Sequence, residues 1–270
     1  LLALFTVGTA PTPPLLLNAI SFTIGGGIGM IWVARTGGFA RLRAISWKIY
    51  AFGTLGLFGY HALYFSALRL APAAEAGLIA YLWPLLIVLF SGLLPGERLR
   101  RGHLVGAVCG FAGAALIIAG GSGAGFGITA LPGYLLALAG ALTWAGYSVI
   151  SRRLGAAPTA TVAVFCVATA ILSAGLHLAL EETIWPATPL AWASALALGL
   201  GPVGLAFYVW DIGVKRGDIQ LLGTASYAAP LLSTLILVGV GVAEPTWLLA
   251  AATVLITGGA ILAARASLRG

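Results

Sequence analysis

The chain has 270 residues, of which 60% are hydrophobic and only 8% are charged, and it carries a formal net charge of +7. A soluble domain needs about a quarter of its residues charged to cover its surface, so this composition excludes a soluble enzyme. The basic residues form no stripe or clustered face, which argues against nucleic-acid binding.

Long apolar runs separated by short polar gaps predict membrane-spanning helices, each of which needs about 20 mostly apolar residues. Nine runs qualify, at residues 14–34, 47–69, 72–94, 102–120, 132–153, 159–180, 190–213, 219–241 and 246–264. Residues 1–9 are apolar but too short to span a bilayer, and the chain begins at Leu1. We interpret them as the second half of a first helix whose beginning is missing. The sequence therefore predicts ten transmembrane helices, the first of them truncated.

The basic residues predict how these helices are oriented, because Lys and Arg concentrate in short cytoplasmic loops. With alternate loops on opposite sides, one side carries Arg35, Arg41, Arg43, Lys48, Arg98, Arg100, Arg101, Arg152, Arg153, Lys215, Arg216, Arg265 and Arg269. The other side carries only Arg69, together with Glu181, Glu182, Glu244 and the glycine-rich loop 120–127. Both termini are therefore predicted to be cytoplasmic.

An internal repeat divides this single membrane domain, residues 1–270, into two halves. A shift of 146 residues places Tyr81 on Tyr227 and Pro84 on Pro230, and the same shift relates 113–114 to 259–260. The alternative is chance similarity between apolar helices rich in Leu, Ala and Gly. Five helices in each half, residues 1–120 and 132–264, require the repeats to be inverted in the membrane. Inverted repeats are typical of secondary transporters, with the substrate site near the bilayer midplane.

Three motifs carry a resemblance to a known family. They are Tyr81-Leu82-Trp83-Pro84 preceded by Glu75-Ala76-Gly77, Trp144-Ala145-Gly146-Tyr147, and the stretch from Gly223 to Pro230. With ten helices in inverted halves, the chain resembles the EamA-type exporters of the drug/metabolite transporter superfamily, and within them the group of YddG-like aromatic amino acid exporters. The likeness runs along essentially the whole chain. It implies a bacterial inner-membrane exporter without a cofactor, and it leaves the substrate open because relatives carry metabolites, nucleotide sugars and drugs.

Aromatic residues at one depth are the first candidate site residues. Trp83, Trp144, Tyr81 and Tyr227 fall near the middle of their predicted helices. They either pack between helices with satisfied hydroxyls or line a wet cavity, and their common depth favours the cavity. The remaining tryptophans lie near predicted helix ends, where they are expected to form an interfacial belt: Trp32, Trp47, Trp185, Trp192, Trp210 and Trp247.

Two polar stripes extend this candidate substrate site. Tyr60, His61 and Tyr64 lie on or beside one face of the third helix, since residues three and four apart are neighbours on a helix. Trp144, Tyr147 and Ser148 form a similar stripe on the sixth helix. His61 is either a satisfied core residue or a proton carrier.

Prolines and carboxylates inside the predicted spans complete the candidates. Pro84, Pro202 and Pro230 each remove a backbone donor and kink a helix, so the equivalent Pro84 and Pro230 are predicted either as static kinks or as a symmetric gate. Glu75 and Asp211 border the membrane. They are expected to pair with Arg69 and Lys215 or to contact a substrate ammonium.

These features together predict a secondary transporter that exports aromatic or large apolar amino acids by alternating access through an aromatic-lined cavity. The alternative is a broad-specificity drug or metabolite exporter of the same fold. Neither H-E-x-x-H nor G-x-S-x-G occurs, and His61, His103 and His177 lie in different predicted helices without ligand spacing, so neither an enzyme nor a metal site is predicted. The expected partners are the lipid bilayer and a small-molecule substrate. The oligomeric state stays open, and a monomer is compatible with the sequence.

Overall fold

A computed structural model shows an all-helical chain. The structure describes residues 2–119, 127–239 and 246–268, and no strand occurs in these ranges. The α-helices in chain order are α1 (Leu2–Gly8), α2 (Pro14–Arg35), α3 (Phe39–Arg43), α4 (Trp47–Leu70), α5 (Ala73–Ala80), α6 (Trp83–Ser91), α7 (Arg101–Ala119), α8 (Leu131–Arg153), α9 (Thr161–Leu180), α10 (Pro189–Leu200), α11 (Ala206–Arg216), α12 (Ile219–Ala225), α13 (Ala228–Gly239) and α14 (Trp247–Leu268). A 3-10 turn, Ile128–Ala130, precedes α8, and a π-helical turn, Gly201–Leu205, joins α10 to α11.

Seven helical segments in the described ranges are long and apolar enough to cross a bilayer. They are Pro14–Arg35, Ala73–Ser91, Arg101–Ile118, Ile128–Arg153, Thr161–Leu180, Pro189–Arg216 and Trp247–Leu268, and a shorter apolar stretch covers Ile219–Leu232. The predicted all-α membrane class is therefore confirmed, whereas the count of ten spans stays a prediction. Residues 120–126 of the predicted outer loop, Glu244 and Arg269 lie outside the described residues.

The predicted span 72–94 is interrupted just before its proline. Tyr81 and Leu82 separate α5 from α6, and Pro84 is the second residue of α6. Pro84 has no N–H to donate to the carbonyl of Ala80, four residues earlier, and its ring crowds that carbonyl. The chain therefore makes a turn, in which the Leu82 N–H donates to the Ile79 carbonyl at 3.1 Å.

The predicted spans 219–241 and 190–213 are interrupted in related ways. α12 ends at Ala225 and α13 begins at Ala228, two residues before Pro230. Pro202 lies in the π-helical turn between α10 and α11, where the chain continues with a wider turn. The sequence predicts kinks at these prolines, and the structure shows interruptions of the helix.

Helices that occupy corresponding places in the two halves pack against each other. α7 runs along α14, and α2 runs along α9. The shift of 146 residues that relates the sequence motifs also relates Arg101, the first residue of α7, to Trp247, the first residue of α14. This pairing is what two related halves produce, although the exact repeat boundaries, 1–120 and 132–264, stay a prediction.

Glycines allow α7 and α14 to approach closely. A Cβ atom built on Gly259 lies 2.5 Å from the carbonyl oxygen of Gly106, and one built on Gly106 lies 2.5 Å from the carbonyl oxygen of Gly259. Small residues at helix interfaces are a common way to bring membrane helices together. Gly102, four residues before Gly106, likewise faces α14, since a Cβ atom built on it lies 2.8 Å from the Ala266 Cβ atom.

We expect Gly259→Ala to destabilise the protein by about 1–3 kcal/mol, because the added methyl meets backbone that cannot rotate away. Gly258→Ala is the matched control, since a Cβ atom at Gly258 has no neighbour within 4 Å. Both substitutions change the intrinsic helix propensity of α14 equally. Thermal unfolding of the two purified variants in detergent measures the difference, and equal melting temperatures would contradict the close packing.

Candidate functional site

A cavity of about 220 Å³, called the central cavity, lies between α4, α5, α6, α8 and α11. Its lining residues are Tyr60, His61, Tyr64, Ala80, Tyr81, Trp83, Trp144, Pro202, Ala206, Phe207 and Trp210. Pockets for drug-sized ligands usually measure about 300–1,000 Å³. The central cavity is smaller, and it suits a single small metabolite.

The wall from α4 presents the predicted stripe. Tyr60 and Tyr64 are stacked, with ring centroids 5.9 Å apart and ring planes 8° from parallel. The His61 ring, next to Tyr60 in the sequence, packs edge-on against the Phe207 ring, with the ring centroids 5.2 Å apart. The helical spacing read from the sequence therefore brings all three side chains to one cavity.

Three indole rings from different helices form the opposite walls. The Trp144 ring lies 5.0 Å from the Tyr60 ring, 5.8 Å from Trp210 and 6.4 Å from Trp83. Trp83 and Trp210 meet edge-to-face at 5.3 Å. Aromatic pairs of this kind contribute about 0.5–1.5 kcal/mol each beyond their burial. The cavity is therefore bounded by large apolar faces that are already in position.

Interruptions of two helices supply part of this wall. Tyr81 lies in the turn between α5 and α6, and Trp83 is the first residue of α6. Pro202 belongs to the π-helical turn, and Phe207 follows it at the start of α11. The prolines therefore place aromatic side chains and irregular backbone beside the cavity, an arrangement tolerated in a membrane only where it is buried or lines a cavity.

Polar atoms without protein partners also border the central cavity. Within the described part of the chain, the hydroxyls of Tyr60, Tyr64 and Tyr81 form no hydrogen bond, and none of them is sealed from solvent. The Nδ1 atom of His61 donates to the carbonyl of Leu57 at 2.8 Å. Because this bond holds the proton on Nδ1, Nε2 of the neutral ring is an acceptor without a partner. These four groups can bond to water or to a polar ligand.

Two predicted stripe residues lie behind the wall. The Tyr147 ring packs 5.3 Å from Trp144 and stacks on Phe52 at 5.6 Å. Ser148 is fully buried, and its hydroxyl accepts a hydrogen bond from the Trp210 indole N–H at 3.0 Å. Both residues therefore hold cavity-lining indoles in place.

Tyr227 does not line the central cavity, unlike its repeat counterpart Tyr81. It is fully buried among residues of α7, α13 and α14. Its hydroxyl accepts a hydrogen bond from the Leu85 N–H at 3.0 Å. The first N–H groups of a helix lack acceptors within that helix, so Tyr227 caps the start of α6 and links the interruptions of the two halves.

The placement of Trp210 in an interfacial belt is wrong, since its ring lines the central cavity. The predicted span ends three residues after Trp210, whereas α11 continues to Arg216. Phe207, Ala206 and Ala80 are further lining residues that the sequence reasoning missed. Pro202, recognised as a proline inside a span, is the signal in the sequence that points to this part of the wall.

The two predicted ion pairs have different outcomes. Lys215 Nζ lies 2.7 Å from Asp211 Oδ1, so this pair is confirmed. No ion pair joins Glu75 to Arg69 within the described residues. The Glu75 carboxylate instead accepts a hydrogen bond from the Tyr134 hydroxyl.

A group of charged and polar side chains lies at the helix ends that carry most of the basic residues. This ionic cluster consists of Glu97, Arg152 and Gln220. Arg152 Nε donates to Glu97 Oε1 at 2.6 Å, and Gln220 Nε2 donates to Glu97 Oε2 at 3.2 Å. Arg152 Nη1 also donates to the carbonyls of Val214 at 2.9 Å and Gly217 at 2.7 Å. The cluster ties together the loop before α7 and the ends of α8, α11 and α12.

The sequence matches known proteins along both halves. Residues 3–119 and 131–265 match the EamA-like transporter family. A protein of Ancylobacter novellus named aromatic amino acid exporter YddG is 55% identical over 97% of this chain and 91% of that protein. The Escherichia coli protein of the same name is 26% identical over 74% of this chain and 71% of that protein. A chain of known crystal structure, 53% identical, aligns with a TM-score of 0.89 over 97% of this chain and 91% of that chain.

Proposed function

We propose, on the premise that the chain belongs to the EamA-like transporter family and is a multi-pass membrane transporter, that it exports aromatic or large apolar amino acids. The observation that carries this proposal is the central cavity, which combines flat aromatic walls with unpaired polar groups. The name of the relative from Ancylobacter novellus, aromatic amino acid exporter, agrees with it.

The chemistry of the central cavity favours an amino acid over a lipophilic cation. Stacking on indole and phenol faces suits an aromatic or bulky apolar side chain. The Tyr60, Tyr64 and Tyr81 hydroxyls can hydrogen-bond to an amino or carboxylate group, and Nε2 of His61 can accept from an ammonium. No carboxylate lines the cavity in the described part of the chain. Among the described residues, the cavity therefore offers no negatively charged side chain to bind a cation.

Flux into proteoliposomes tests the substrate class. We expect saturable movement of labelled L-tryptophan and L-phenylalanine, with competition by the unlabelled amino acids and none by tetraethylammonium. Protein-free liposomes and liposomes with heat-inactivated protein are the controls. Movement of the quaternary amine without movement of either amino acid would establish the broad drug or metabolite exporter and refute the proposed substrate.

The transport cycle we propose is alternating access, with the Lys- and Arg-rich helix ends and both termini in the cytoplasm. The ionic cluster of Glu97, Arg152 and Gln220 holds those ends together, which supports a state closed to the cytoplasm. The paired interruptions before Pro84 and Pro230 give both halves places where a helix can bend. Substrate entry from the cytoplasm requires the ionic cluster to separate.

A further inference from the structure

A second cavity is lined by an acidic side chain and a basic side chain that do not form an ion pair with each other. This outer cavity, of about 460 Å³, has Arg69, Glu75 and Tyr134 in its lining. We call it outer because the Arg69 end of α4 is predicted to face away from the cytoplasm. No function described above uses it.

The outer cavity lies along the same helices as the central cavity. Glu75 is near the start of α5, and Tyr81 of the central cavity follows the end of this eight-residue helix, so the two ends are roughly 12 Å apart. On α8, Tyr134 lines the outer cavity and Trp144 lines the central cavity. A solute that leaves the central cavity along α5 and α8 therefore reaches the outer cavity.

Glu75 supplies a buried carboxylate with unused acceptor capacity. Glu75 is only 5% exposed. Within the described residues its one hydrogen-bond partner is the Tyr134 hydroxyl, whereas an ionised carboxylate has about four acceptor positions. Burial of a carboxylate without a cationic partner is costly, so a positively charged group bound beside Glu75 would stabilise it.

Arg69 supplies the opposite charge. Its Nη2 atom donates to the Thr12 carbonyl at 2.8 Å, and its Nε and Nη1 atoms have no partner in the described part of the chain. Glu181 acts on Arg69 electrostatically, but the oxygens of Glu181 already accept from the Leu15 N–H at 3.0 Å and contact His177 at 2.8 Å. The guanidinium therefore has donors left for an anionic group.

We propose that the outer cavity is a second binding site for the zwitterionic head of an amino acid, occupied on the way out. The substrate carboxylate faces Arg69, and the substrate ammonium faces Glu75. A simple anion would meet the Glu75 charge and a simple cation the Arg69 charge, whereas a zwitterion satisfies both. This inference rests on the proposed export of amino acids, and it adds a site that selects for the head group and not for the side chain.

Equilibrium binding of labelled L-tryptophan to the purified protein in detergent tests the inference. We expect two sites in the wild-type protein. Trp144→Ala removes the central site, while Arg69→Gln and Glu75→Gln each weaken the outer site by at least about tenfold, as loss of a charge-assisted hydrogen bond predicts. Glu182→Gln is the control, because Glu182 is an exposed acid on the same predicted side.

The Trp144→Ala protein also allows a test without charge variants. Unlabelled tryptophan is expected to displace the label from the outer site, whereas tryptamine, which lacks the carboxylate, and indole-3-propionate, which lacks the ammonium, are not. Displacement by either analogue as effectively as by tryptophan overturns the inference. A single wild-type site that is unaffected by Arg69→Gln and Glu75→Gln also overturns it and leaves the proposed function intact. Absence of any tryptophan binding or flux refutes the proposed function as well.

Discussion

Replacing Trp144 by alanine is expected to reduce tryptophan flux by about tenfold or more. Trp144 is the indole that contacts most of the central cavity wall, with the Tyr60, Trp83 and Trp210 rings 5.0–6.4 Å away. The substitution removes a stacking surface for the proposed substrate and is expected to loosen the neighbouring rings. Each aromatic contact is worth about 0.5–1.5 kcal/mol, and 1.4 kcal/mol corresponds to a tenfold change. Loss of one or two contacts therefore accounts for the expected effect.

Initial rates in proteoliposomes with equal amounts of inserted protein measure this loss. Trp247→Ala is the matched control, since Trp247 is 76% exposed and contributes nothing to the central cavity. Trp144→Phe keeps an aromatic face and is expected to restore part of the flux. Wild-type rates in Trp144→Ala would assign this ring to helix packing alone and remove the main support for the substrate site.

The depth of the aromatic residues made much of this site predictable. Trp83 and Trp144 lie far from the ends of their predicted spans, where an interfacial belt does not explain them, and both line the central cavity. Tyr60 and Tyr64 were predictable as a pair from their spacing, because residues four apart lie on the same face of a helix and share one environment. Depth and spacing are local properties, and a single sequence contains them.

Tyr227 shows where the repeat misleads. The shift relates Tyr227 to Tyr81 by position in the sequence, but the two side chains have different roles. Tyr81 borders the central cavity, whereas Tyr227 caps α6 through the Leu85 N–H. Whether a side chain lines a cavity or caps a helix depends on which helices pack against it. Two halves with different sequences therefore need not use equivalent residues for the same purpose.

The partners of Arg152 were also beyond the reach of the sequence. From the sequence, Arg152 is recognisable only as one of many basic residues predicted on one side of the membrane. Its contacts with Glu97 and Gly217 join residues 55 and 65 positions apart, and no periodic pattern encodes such distances. The Lys215–Asp211 pair was predictable because its members are one helical turn apart.

Arg152 is also the cation on which the ionic cluster depends. It bonds to Glu97, to the carbonyl of Val214 in the last turn of α11 and to the carbonyl of Gly217 just after α11. It therefore joins the end of α8 to the loop before α7 and to the end of α11. The Glu97 side chain is only 18% exposed. Removal of the guanidinium therefore leaves a largely buried carboxylate with Gln220 as its remaining partner, which destabilises the closed arrangement.

Replacing Arg152 by alanine is accordingly expected to open the end of the transporter that we propose faces the cytoplasm. Loss of one member of this partly buried charged pair is expected to cost about 1–2 kcal/mol, which shifts the balance between closed and open states by about tenfold. A cysteine at Ser151, a buried residue of α8 at this end, reports the change. It is placed in a protein whose Cys109 and Cys166 are replaced by alanine, and its reaction with a membrane-impermeant thiol reagent is timed from the cytoplasmic side.

The neighbouring Arg153 provides the control for charge alone, because its side chain is exposed and it forms no ion pair or hydrogen bond in the described structure. Arg153→Ala removes the same charge from the same helix end and is expected to leave the reaction rate unchanged. A faster reaction in Arg152→Ala alone assigns closure to the ionic cluster and not to the overall positive potential. Equal rates in wild-type protein, Arg152→Ala and Arg153→Ala would mean that the bonds of Arg152 do not affect the equilibrium between closed and open states. Helix packing would then be what closes this end.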